Sequence, residues 1–585
     1  MRPGLSWPFQ KVLIANRGEI ALRVIQACRE LGLCTVAVYS EADRDSLPVT
    51  LADEAYEIGP APSAQSYLNS ERILAVARQS GAGAIHPGYG FLAENAGFAG
   101  VCRDAGIVFV GPSPESMEAV GGKIAARSLA ERLGIPVVPG QTAALESLEA
   151  AAAVAERVGY PVAIKASAGG GGRGLKVVHG PAELSAALES AQREGAAYFG
   201  DATVFMERYL RAPRHIEVQI AGDQHGTVLA VGTRDCSVQR NHQKLIEEAP
   251  APLDPGLSAR IMDAARRLAA AIAYTGAGTA EFLVEGDQFF FLEMNTRIQV
   301  EHTVTEAVTG LDLVKMQLLV AAGAPLPFGE RDCAPRGHAI ECRINAEDPA
   351  ARFRPGPGLI TRYRPPTGPG IRVDSAAFQG YAIPPHYDSM IGKLVAWGRD
   401  REEAIARMDR ALAQFQIGGV PSTIAFHRLA LADPDFVAGG VATTFVGGLD
   451  LAGLSPYVPE ASTPSPDPGG PAALDGGESY LVEVNGKQFS VKVAADGVRV
   501  RGSKRGARRH TTGEADGAVV SPMHGVVLRV AVEAGQRVES GDLLLTIEAM
   551  KMENEVLAPR PGTVVKLGAA PGTTVDVGTL LAVVE

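Results

Sequence analysis

The C-terminal end of this 585-residue chain repeats itself with a period of 37 residues. Both halves consist of short segments rich in Val and Leu that are separated by glycine turns, a pattern typical of β-strands. Two like halves of this size predict a small β sandwich with an internal two-fold axis. The recurring residues are Gly525, Gly535, Val538, Gly541, Leu543, Leu544 and Ile547, whose counterparts are Gly562, Gly572, Val575, Gly578, Leu580, Leu581 and Val584.

The connection between the two halves contains the stretch EAMKME, residues 548–553. Because Ile547 ends the first half, Lys551 should stand on an exposed tight turn, where a lysine is ordinarily only a solvated charge. The flanking methionines and the repeat favour a functional lysine instead. The stretch resembles the attachment motif of biotinyl carrier domains, in which a ligase joins biotin to the central lysine. The resemblance implies covalent biotin on Lys551; a lipoyl domain, which usually has Asp-Lys-Ala at this turn, is the alternative.

Composition and charge argue against several classes of protein. The net charge of −11 argues against a nucleic-acid partner, which normally faces a basic surface. The six cysteines show neither CxxC pairs nor zinc spacing, which fits a reducing compartment. The N-terminus has no apolar signal segment, and no apolar run approaches the ~18 residues that span a bilayer. We therefore expect a cytoplasmic protein without membrane contact.

Strand and helix patterns alternate through roughly the first hundred residues. The segments 11–16 and 34–40 are typical of strands, whereas 18–32 and 67–81 have apolar residues at helical spacing. This alternation predicts an α/β domain with a parallel, doubly wound sheet. The first strand is followed by ANRGEI rather than GxGxxG, so a dinucleotide site is only weakly supported.

Four consecutive glycines, Gly169, Gly170, Gly171 and Gly172, lie in the stretch KASAGGGGRGLKVV. Glycine lets backbone amides approach phosphate oxygens closely. The stretch is not a Walker A loop, because no Lys-Ser/Thr follows the last glycine. Alone it is also compatible with a flexible turn, but Lys165 before it and Lys123 at a predicted helix start favour a phosphate site.

Residues 280–295 predict an antiparallel hairpin that turns at Gly286-Asp287. Glu281 and Glu293 are equidistant from residue 287, so a regular pair would place their Cβ atoms roughly 5 Å apart. Two opposed carboxylates are unfavourable unless a cation lies between them. With Asn295 on the same face, these oxygen donors predict Mg²⁺ or Mn²⁺ at nucleotide phosphates; two solvated carboxylates at a sheet edge are the alternative.

The stretch EMNTRIQVEH continues this pattern at every second residue. If the backbone stays extended, one side carries Glu293, Asn295, Arg297, Gln299 and Glu301. A core strand does not carry such a row on either face without partners. The row therefore indicates a site for charged substrates.

Several motifs in order resemble the biotin carboxylase family of ATP-grasp enzymes over roughly residues 10–447. They are IANRGEIA, HPGYGFLAEN, GGGGRGLK, RDCSVQRNHQKLIEEAP, EMNTRIQVEH, ECRINAEDP and YDSMIGKL. Thr233 and Thr303 depart from the family, which often has Glu and Pro there. The resemblance implies a fold with an α/β N-terminal doubly wound domain, α+β ATP-grasp and C-terminal carboxylase subdomains, and a small all-β biotinyl/lipoyl-like domain.

The resemblance also implies residue roles. Residues expected to bind ATP are Lys123, Lys165, Gly169, Gly170, Gly171, Gly172, Gly174, Glu207, Leu210, His215, Gln239 and His242. Magnesium is expected at Glu281, Glu293 and Asn295. Bicarbonate is expected at Lys244, Arg297, Gln299, Val300 and Glu301, and biotin at Arg343.

The implied mechanism uses ATP to activate bicarbonate, a poor electrophile. Glu301 deprotonates bicarbonate, which attacks the γ-phosphoryl group to form carboxyphosphate, while Lys123, Lys165 and magnesium offset the spreading charge. Lys244 and Arg297 hold the anionic substrate. Carboxyphosphate decomposes to CO₂ and phosphate, phosphate takes the N1 proton of biotin, and Arg343 stabilises the enolate oxygen.

The carboxyl group needs an acceptor, and the segment between residue 450 and the carrier domain is too short for a carboxyltransferase. The arrangement resembles the α subunits of acetyl-CoA and propionyl-CoA carboxylases, which implies a biotin protein ligase, a homo-oligomer within a larger complex, and a separate carboxyltransferase β subunit. The corresponding chain of a two-subunit pyruvate carboxylase is the main alternative. A non-catalytic biotin carrier, a urea carboxylase and a carboxylate–amine ligase fit less well.

These patterns predict six segments. They are a carboxylase N-terminal domain at 10–120, an ATP-grasp domain at 121–334 with a lid at about 137–210, a C-terminal carboxylase domain at 335–447, a proline-rich linker at 448–479, a β-hairpin with a basic linker at 480–516, and a carrier domain at 517–585. The Asn485-Gly486 pair predicts the hairpin turn.

Overall fold

A computed structural model describes residues 7–141, 144–145, 147–166, 175–199, 201–458, 478–484, 487–493, 517–521, 523, 525–549, 552–575 and 578–585. Several predicted features lie outside this part of the chain. They are the glycine run 169–172 with Gly174, most of the proline-rich segment, the Asn485-Gly486 turn, the basic segment 499–509 and Lys551.

The N-terminal part forms a five-stranded parallel sheet, as the alternating pattern predicts. The elements are β1 (Lys11–Ile14), α1 (Gly18–Glu30), β2 (Cys34–Ser40), α2 (Leu47–Leu51), β3 (Glu54–Gly59), α3 (Ser70–Ser80), β4 (Ala84–His86), α4 (Ala96–Asp104), β5 (Val108–Phe109) and α5 (Pro114–Gly121). The strand order β3–β2–β1–β4–β5 reverses direction at β1, which confirms the doubly wound topology. Val12, Leu13 and Ile14 of the central strand are fully buried because helices cover both faces.

The middle of the chain contains two antiparallel sheet regions. The elements are α6 (Lys123–Arg132), β6 (Gly140–Gln141), α7 (Leu148–Val158), β7 (Val162–Ala166), β8 (Leu175–Val178), α8 (Leu184–Phe199), β9 (Val204–Arg208), β10 (Arg214–Gly222), β11 (Val228–Arg240), β12 (Gln243–Ala249), α9 (Pro255–Ala271), β13 (Gly276–Glu285), β14 (Gln288–Asn295), α10 (His302–Thr309) and α11 (Leu313–Ala321). The strands β6–β9–β7–β8 form a small sheet, whose β7 and β8 precede and follow the glycine run in the sequence, and β10 to β14 belong to a larger sheet.

The third part extends the larger sheet. Its elements are β15 (His338–Asn345), β16 (Glu347–Asp348), β17 (Arg354–Pro355), β18 (Gly358–Leu359), β19 (Arg362–Arg364), β20 (Ile371–Ser375), β21 (Ala382–Ile383), β22 (Met390–Gly398), α12 (Arg401–Gln414), β23 (Gln416–Gly418), α13 (Ile424–Ala432), α14 (Pro434–Ala438) and α15 (Phe445–Gly448). The eight-stranded order is β14–β13–β10–β11–β12–β15–β22–β20. Because β12 pairs with β15, strands from both sides of residue 334 share one sheet.

The C-terminal strands form two four-stranded sheets related by the repeat. A hairpin of β24 (Glu478–Val484) and β25 (Lys487–Val493) precedes β26 (Ala518–Val520), β27 (Gly525–Val530), β28 (Arg537–Val538), β29 (Leu543–Ala549), β30 (Met552–Leu557), β31 (Gly562–Leu567), β32 (Thr574–Val575) and β33 (Leu580–Val584). The sheet orders are β26–β33–β31–β28 and β30–β29–β27–β32. A shift of 37 residues converts one order into the other, which confirms the two-fold sandwich, and both sheets contribute to one apolar core. Among the described residues, no helix combines the length and apolarity that crossing a bilayer demands.

The six cysteines differ sharply in exposure, and this difference gives a first test of the fold. Cys34 at the start of β2 is exposed, whereas the other five are buried. Burial raises the pKa of Cys28 and of Cys102 to about 12, so these thiols stay protonated and unreactive at pH 8.

We predict that dithiobis(nitrobenzoate) labels one thiol rapidly in the native protein and that Cys34→Ser abolishes this rapid phase of labelling. Cys102→Ser should leave this rapid phase unchanged. Rapid labelling of two or more thiols in the native protein would contradict the fold.

Candidate active site

One cavity of about 610 Å³ collects the residues for which the sequence predicts a role. It lies where the small sheet, the eight-stranded sheet and the N-terminal part meet. The predicted residues that line it are Lys123, Lys165, Glu207, Leu210, His215, Gln239, His242, Lys244, Glu281, Glu293, Asn295, Arg297, Gln299, Val300, Glu301 and Arg343. Every predicted site residue that the structure describes is therefore part of the same cavity.

The predicted pairing of Glu281 with Glu293 is present, but it depends on a β-bulge. Near the turn, β13 and β14 pair as in a two-residue hairpin, with Phe282 opposite Phe291. Continued without a break, that register would place Leu292 opposite Glu281. The register shifts by one residue at this point, so Leu292 is the extra residue and Glu293 faces Glu281. Both Leu292 and Glu293 line the cavity as a result.

The ammonium group of Lys244 is the electrostatic centre of the cavity. Its Nζ donates to Glu301 Oε1 at 2.6 Å and to Glu281 Oε1 at 3.0 Å, and it also contacts Glu217. Burial opposes the charged form, but the three carboxylates raise the pKa of Lys244 well above its usual value. In return, Lys244 holds the pKa of Glu281 well below its ordinary value despite burial. This lysine therefore stays charged at any physiological pH.

Glu301 is held between two cations. Its second carboxylate oxygen accepts from Arg343 Nη2 at 3.0 Å, and Arg343 Nε donates to Glu247 Oε1 at 2.5 Å. Burial favours the neutral acid, but Lys244 and Arg343 lower the pKa of Glu301 below its ordinary value. Glu301 is consequently ionised in the absence of substrate, as a general base must be.

The row from Glu293 to Glu301 reaches the cavity by a bent path. Strand β14 ends at Asn295, and bends and a turn lead to the start of α10 at His302, so the condition of an extended backbone is not met beyond Asn295. Arg297 nevertheless faces the cavity, because its Nε donates to Glu94 Oε2 at 2.9 Å and its Nη2 to Asn295 Oδ1 at 3.0 Å. Glu94 belongs to the N-terminal part, which therefore positions one of the predicted substrate cations.

The residues predicted for the nucleotide lie at one side of the cavity. Glu207 on β9 pairs with Lys165 and accepts from Arg127 Nη1 at 3.1 Å. His242 occupies the turn between β11 and β12 with a φ of 62°, and burial lowers the pKa of its imidazole. Burial alone would also lower the pKa of His215, but Glu281 and Glu217 raise it to about 9.

The carboxylates opposed across the bulge suit a divalent cation. Burial and the charge of Glu281 raise the pKa of Glu293. A bound Mg²⁺ would remove this repulsion, because it prefers carboxylate and amide oxygens as ligands. Asn295 adds such an oxygen, which accepts from Arg297 in this structure, and its amide nitrogen donates to Glu281 Oε1 at 2.9 Å. A metal bound at this oxygen would compete with Arg297 for it. The donor set therefore fits magnesium.

Arg234 and Glu217 lie outside the cavity lining but support Lys244, and neither residue was predicted from the sequence. Arg234 is fully buried and donates to Glu217, Gln219 and Gln299, and also to Thr279 and Thr305, at 2.7–3.1 Å. The signal was the alternation His215, Glu217, Gln219 in RHIEVQIAG, which places three polar side chains on one face of a strand. A buried polar face of this kind demands a buried partner.

The described fold and cavity are those of an ATP-binding ligase, and family models agree. They match "Biotin carboxylase, N-terminal domain" over residues 8–117 and "Carbamoyl-phosphate synthase L chain, ATP binding domain" over 122–328. They also match "Biotin carboxylase C-terminal domain" over 341–447 and "Biotin-requiring enzyme" over 517–584. The predictions of an ATP-binding domain and a biotin-requiring domain are therefore confirmed.

Individual relatives give the same result. A pyruvate carboxylase subunit of Methanothermobacter thermautotrophicus is 55% identical over 440 residues, covering 75% of this chain and 89% of the relative. The biotin-dependent acyl-coenzyme A carboxylase alpha3 subunit of Mycobacterium leprae is 44% identical over 574 residues, covering 95% of both chains. A solved structure that is similar to this chain is the biotin carboxylase domain of Hydrogenobacter thermophilus 2-oxoglutarate carboxylase in complex with MgADP, ADP and bicarbonate. It superposes with a TM-score of 0.72 at 46% sequence identity, and the match covers 75% of this chain and 97% of that structure. The chain belongs to the biotin-dependent carboxylases, as a biotin carboxylase joined to its biotin carrier domain.

Arg234 provides a test of the buried charge network. We predict that Arg234→Met lowers the free energy of unfolding by about 3–5 kcal/mol, because Glu217 would remain as a buried charge without this partner. The matched control is Arg266→Met, since Arg266 forms an exposed pair with Asp263 and should contribute at most about 0.5 kcal/mol. Urea unfolding followed by circular dichroism measures both. Equal shifts for the two variants would contradict the network.

Proposed function

We propose that the chain carboxylates biotin on its own Lys551 with ATP and bicarbonate, and that a separate carboxyltransferase subunit passes the carboxyl group to an acyl-CoA. The observation that carries the proposal is the convergence of Lys244, Arg297, Arg343 and Glu301 in one cavity. Three cations around one ionised carboxylate suit an anionic substrate that must lose a proton.

The ATP phosphates would lie between the small sheet and the β13–β14 hairpin. Lys123 and Lys165 line that side of the cavity, and the glycine run follows β7 directly. Glu207 forms an ion pair with Lys165 and so holds the position of its ammonium group. Both lysines would bind the phosphate oxygens and stabilise the charge that develops during transfer.

Glu281, Glu293 and Asn295 would hold the magnesium ion, with Mn²⁺ as an alternative. When bound, the metal neutralises charge on the nucleotide phosphates and orients them for transfer. The MgADP in the Hydrogenobacter thermophilus structure supports this choice of ion. The neighbouring His215 would help to orient Glu281, since its Nε2 lies 3.1 Å from Glu281 Oε2.

Bicarbonate binding would itself make Glu301 a stronger base. Lys244 and Arg343 keep the pKa of Glu301 low before substrate arrives. An anion that binds these cations competes for their positive charge, so the pKa of Glu301 rises when the base is needed. Lys393 donates to the backbone oxygen of Val300 at 3.0 Å and fixes the turn that presents Glu301. Arg343 would then face the ureido oxygen of biotin.

The similarity to the Mycobacterium leprae protein favours an acyl-CoA acceptor. That match spans both the carboxylase and the carrier parts, whereas the match to the Methanothermobacter thermautotrophicus pyruvate carboxylase protein is confined to 75% of the chain. We infer acetyl-CoA or propionyl-CoA as the substrate of the β subunit. The further partners would be a biotin protein ligase and further copies of the chain, in the cytoplasm.

The role of Glu301 is testable by a change that removes its basicity and keeps its shape. We expect Glu301→Gln to lower bicarbonate-dependent ATP hydrolysis by ~10²–10⁴-fold, because the amide cannot accept the proton. The exposed Glu402→Gln serves as the control and should have normal activity. Near-normal hydrolysis by the Glu301 variant would exclude it as the base.

The attachment site is testable by intact-mass spectrometry. Residues 550 and 551 separate two paired strands, because Ala549 lies opposite Met552. We expect Lys551→Arg to lack the biotin adduct while its ATP hydrolysis in the presence of free biotin is retained. Lys566→Arg, a change of an exposed lysine in the same domain, should keep the adduct. An adduct on the Lys551 variant would place biotin elsewhere.

The acceptor is testable with the native complex. We expect the complex isolated through this chain to transfer ¹⁴C from bicarbonate to acetyl-CoA or propionyl-CoA, and to contain a second protein with acyl-CoA-dependent carboxyltransferase activity. Pyruvate serves as the competing acceptor in a parallel assay. Labelling of pyruvate alone would replace the proposed acceptor with the two-subunit pyruvate carboxylase alternative.

A further inference from the structure

Three arginines at the edge of the cavity have no part in the proposed mechanism. Arg240 ends β11 beside the turn whose His242 and Gln243 line the cavity. Arg352 and Arg354 lie just after Glu347, another lining residue. We refer to Arg240, Arg352 and Arg354 together as the arginine platform.

The three arginines are grouped around Phe353. Strand β17 pairs with β16, so that Arg354 lies opposite Asp348, next to the cavity wall. The guanidinium of Arg240 lies 5.0 Å from the ring of Phe353, the residue between the other two arginines. Strand β16 begins two residues after Asn345, a lining residue at the end of the strand that carries Arg343. The chain path therefore links the platform to the part of the cavity where biotin is proposed to bind.

Two residues of the platform segment, Arg352 and Phe353, have a strained backbone. The packing of the Phe353 ring accounts for the strain at Phe353 but not for that at Arg352. Arg352 and Phe353 have φ angles of 55° and 58°, a left-handed conformation that is unfavourable for residues other than glycine. Phe353 offsets the cost by burying its ring against Phe426, at a centroid distance of 5.1 Å. Arg352 is exposed, and glycine would occupy its position with less strain. Among the described residues Arg352 has no ion-pair partner, so its charge is available to a partner outside the carboxylase region.

The platform carries excess positive charge. None of its three arginines forms an ion pair with another residue that the structure describes. Two nearby carboxylates, Glu347 and Asp348, offset this charge in part, but both are buried and accept hydrogen bonds from other groups. At the surface, Arg352 and Arg354 face only the carboxylate of Asp388 among these acidic residues. Three like charges held together favour an anionic partner.

The carrier domain presents the opposite charge beside its attachment site. Glu548 on β29 lies directly opposite Glu553 on β30, although like charges in such a pair are unfavourable. Glu555 adds a third carboxylate on the same strand, and Glu553 and Glu555 are exposed. We refer to Glu548, Glu553 and Glu555, which flank residues 550 and 551, as the acidic hairpin.

We propose that the arginine platform is the docking surface for the acidic hairpin when the carrier presents its lysine to the cavity. The proposal rests on the proposed function and adds to it the surface that recognises the carrier. Docking on this side would bring residue 551 toward Arg343 and leave Lys123 and Lys165 free for the nucleotide. Complementary charge at the edge of a cavity chiefly accelerates encounter, so the contact should weaken with salt.

The test compares two substrates of the full-length chain. The first assay measures the single-turnover rate at which ¹⁴C from bicarbonate appears on the biotinylated chain, with equal biotinylation checked by intact mass. The second measures ATP hydrolysis stimulated by free biotin, in the Lys551→Arg background. We expect the double change Arg352→Glu, Arg354→Glu to slow the first reaction about tenfold at 50 mM salt and to change the second less than twofold. Raising salt to 0.3 M should slow the parent chain and leave the variant nearly unaffected.

Charge exchange supplies the decisive comparison. Adding Glu553→Arg and Glu555→Arg to the platform variant should restore at least half of the lost rate. The double change Arg362→Glu, Arg364→Glu has the same spacing on β19, outside the cavity lining, and should have no effect. Unchanged carrier labelling in the platform variant, or an equal loss in both assays, would overturn the proposal.

Two further outcomes would also overturn it and identify the cause. A raised KM for bicarbonate or ATP would show that the platform binds a small anion instead of the carrier. An equal loss from the β19 control would indicate a non-specific effect of net charge. Failure of the parent chain to use free biotin at all would contradict the proposed function itself, independently of docking.

Discussion

A single ammonium group, on Lys244, is shared by the carboxylates of Glu217, Glu281 and Glu301. Each of these carboxylates comes from a different element, so the lysine fixes β10, β13 and the turn before α10 to one another through charge. The fully buried Arg234 supplies the second positive charge to Glu217 from behind. Because an uncompensated buried charge costs several kcal/mol, no member of this group can change alone. The geometry of the cavity therefore follows from charge balance as much as from packing.

Much of the fold is predictable from the sequence, because hydrophobic periodicity reports burial directly. The alternating N-terminal segments and the 37-residue repeat give the parallel sheet and the two-fold sandwich. The candidate site follows in part from EMNTRIQVEH, whose polar residues alternate too regularly for a core strand. The pattern cannot show the bend after Asn295. Over six residues, polar side chains at every second position are compatible with a continuing strand and also with a turn that lines a cavity. Arg234 is hidden for another reason: its partners are 15 to 71 residues away, and only tertiary structure brings them together.

The cavity requires all three parts of the carboxylase region at once. The N-terminal part contributes Glu94, which pairs with Arg297, and Glu19, which lies 3.1 Å from the buried ammonium of Lys393. Lys393 comes from β22 and also holds the backbone of Val300. Arg297, which is predicted to bind the substrate, is thus oriented by Glu94 on a neighbouring part of the fold, and the turn before Glu301 is held by Lys393. Small relative movements of these parts would misalign Arg297 and Glu301 together, which couples the integrity of the fold to catalysis.

The bulge at Leu292 has a consequence for how this hairpin can vary during evolution. Side chains in a strand alternate between faces, so the pairing of Glu281 with Glu293 requires one extra residue on β14 and a two-residue turn. A single insertion or deletion at the turn would bring the wrong residue opposite Glu281 and move a carboxylate away from the cavity. Two compensating changes, one at the turn and one at the bulge, would restore the register. Length changes in this hairpin should therefore be inherited in pairs, although the residues at its tip are free to vary.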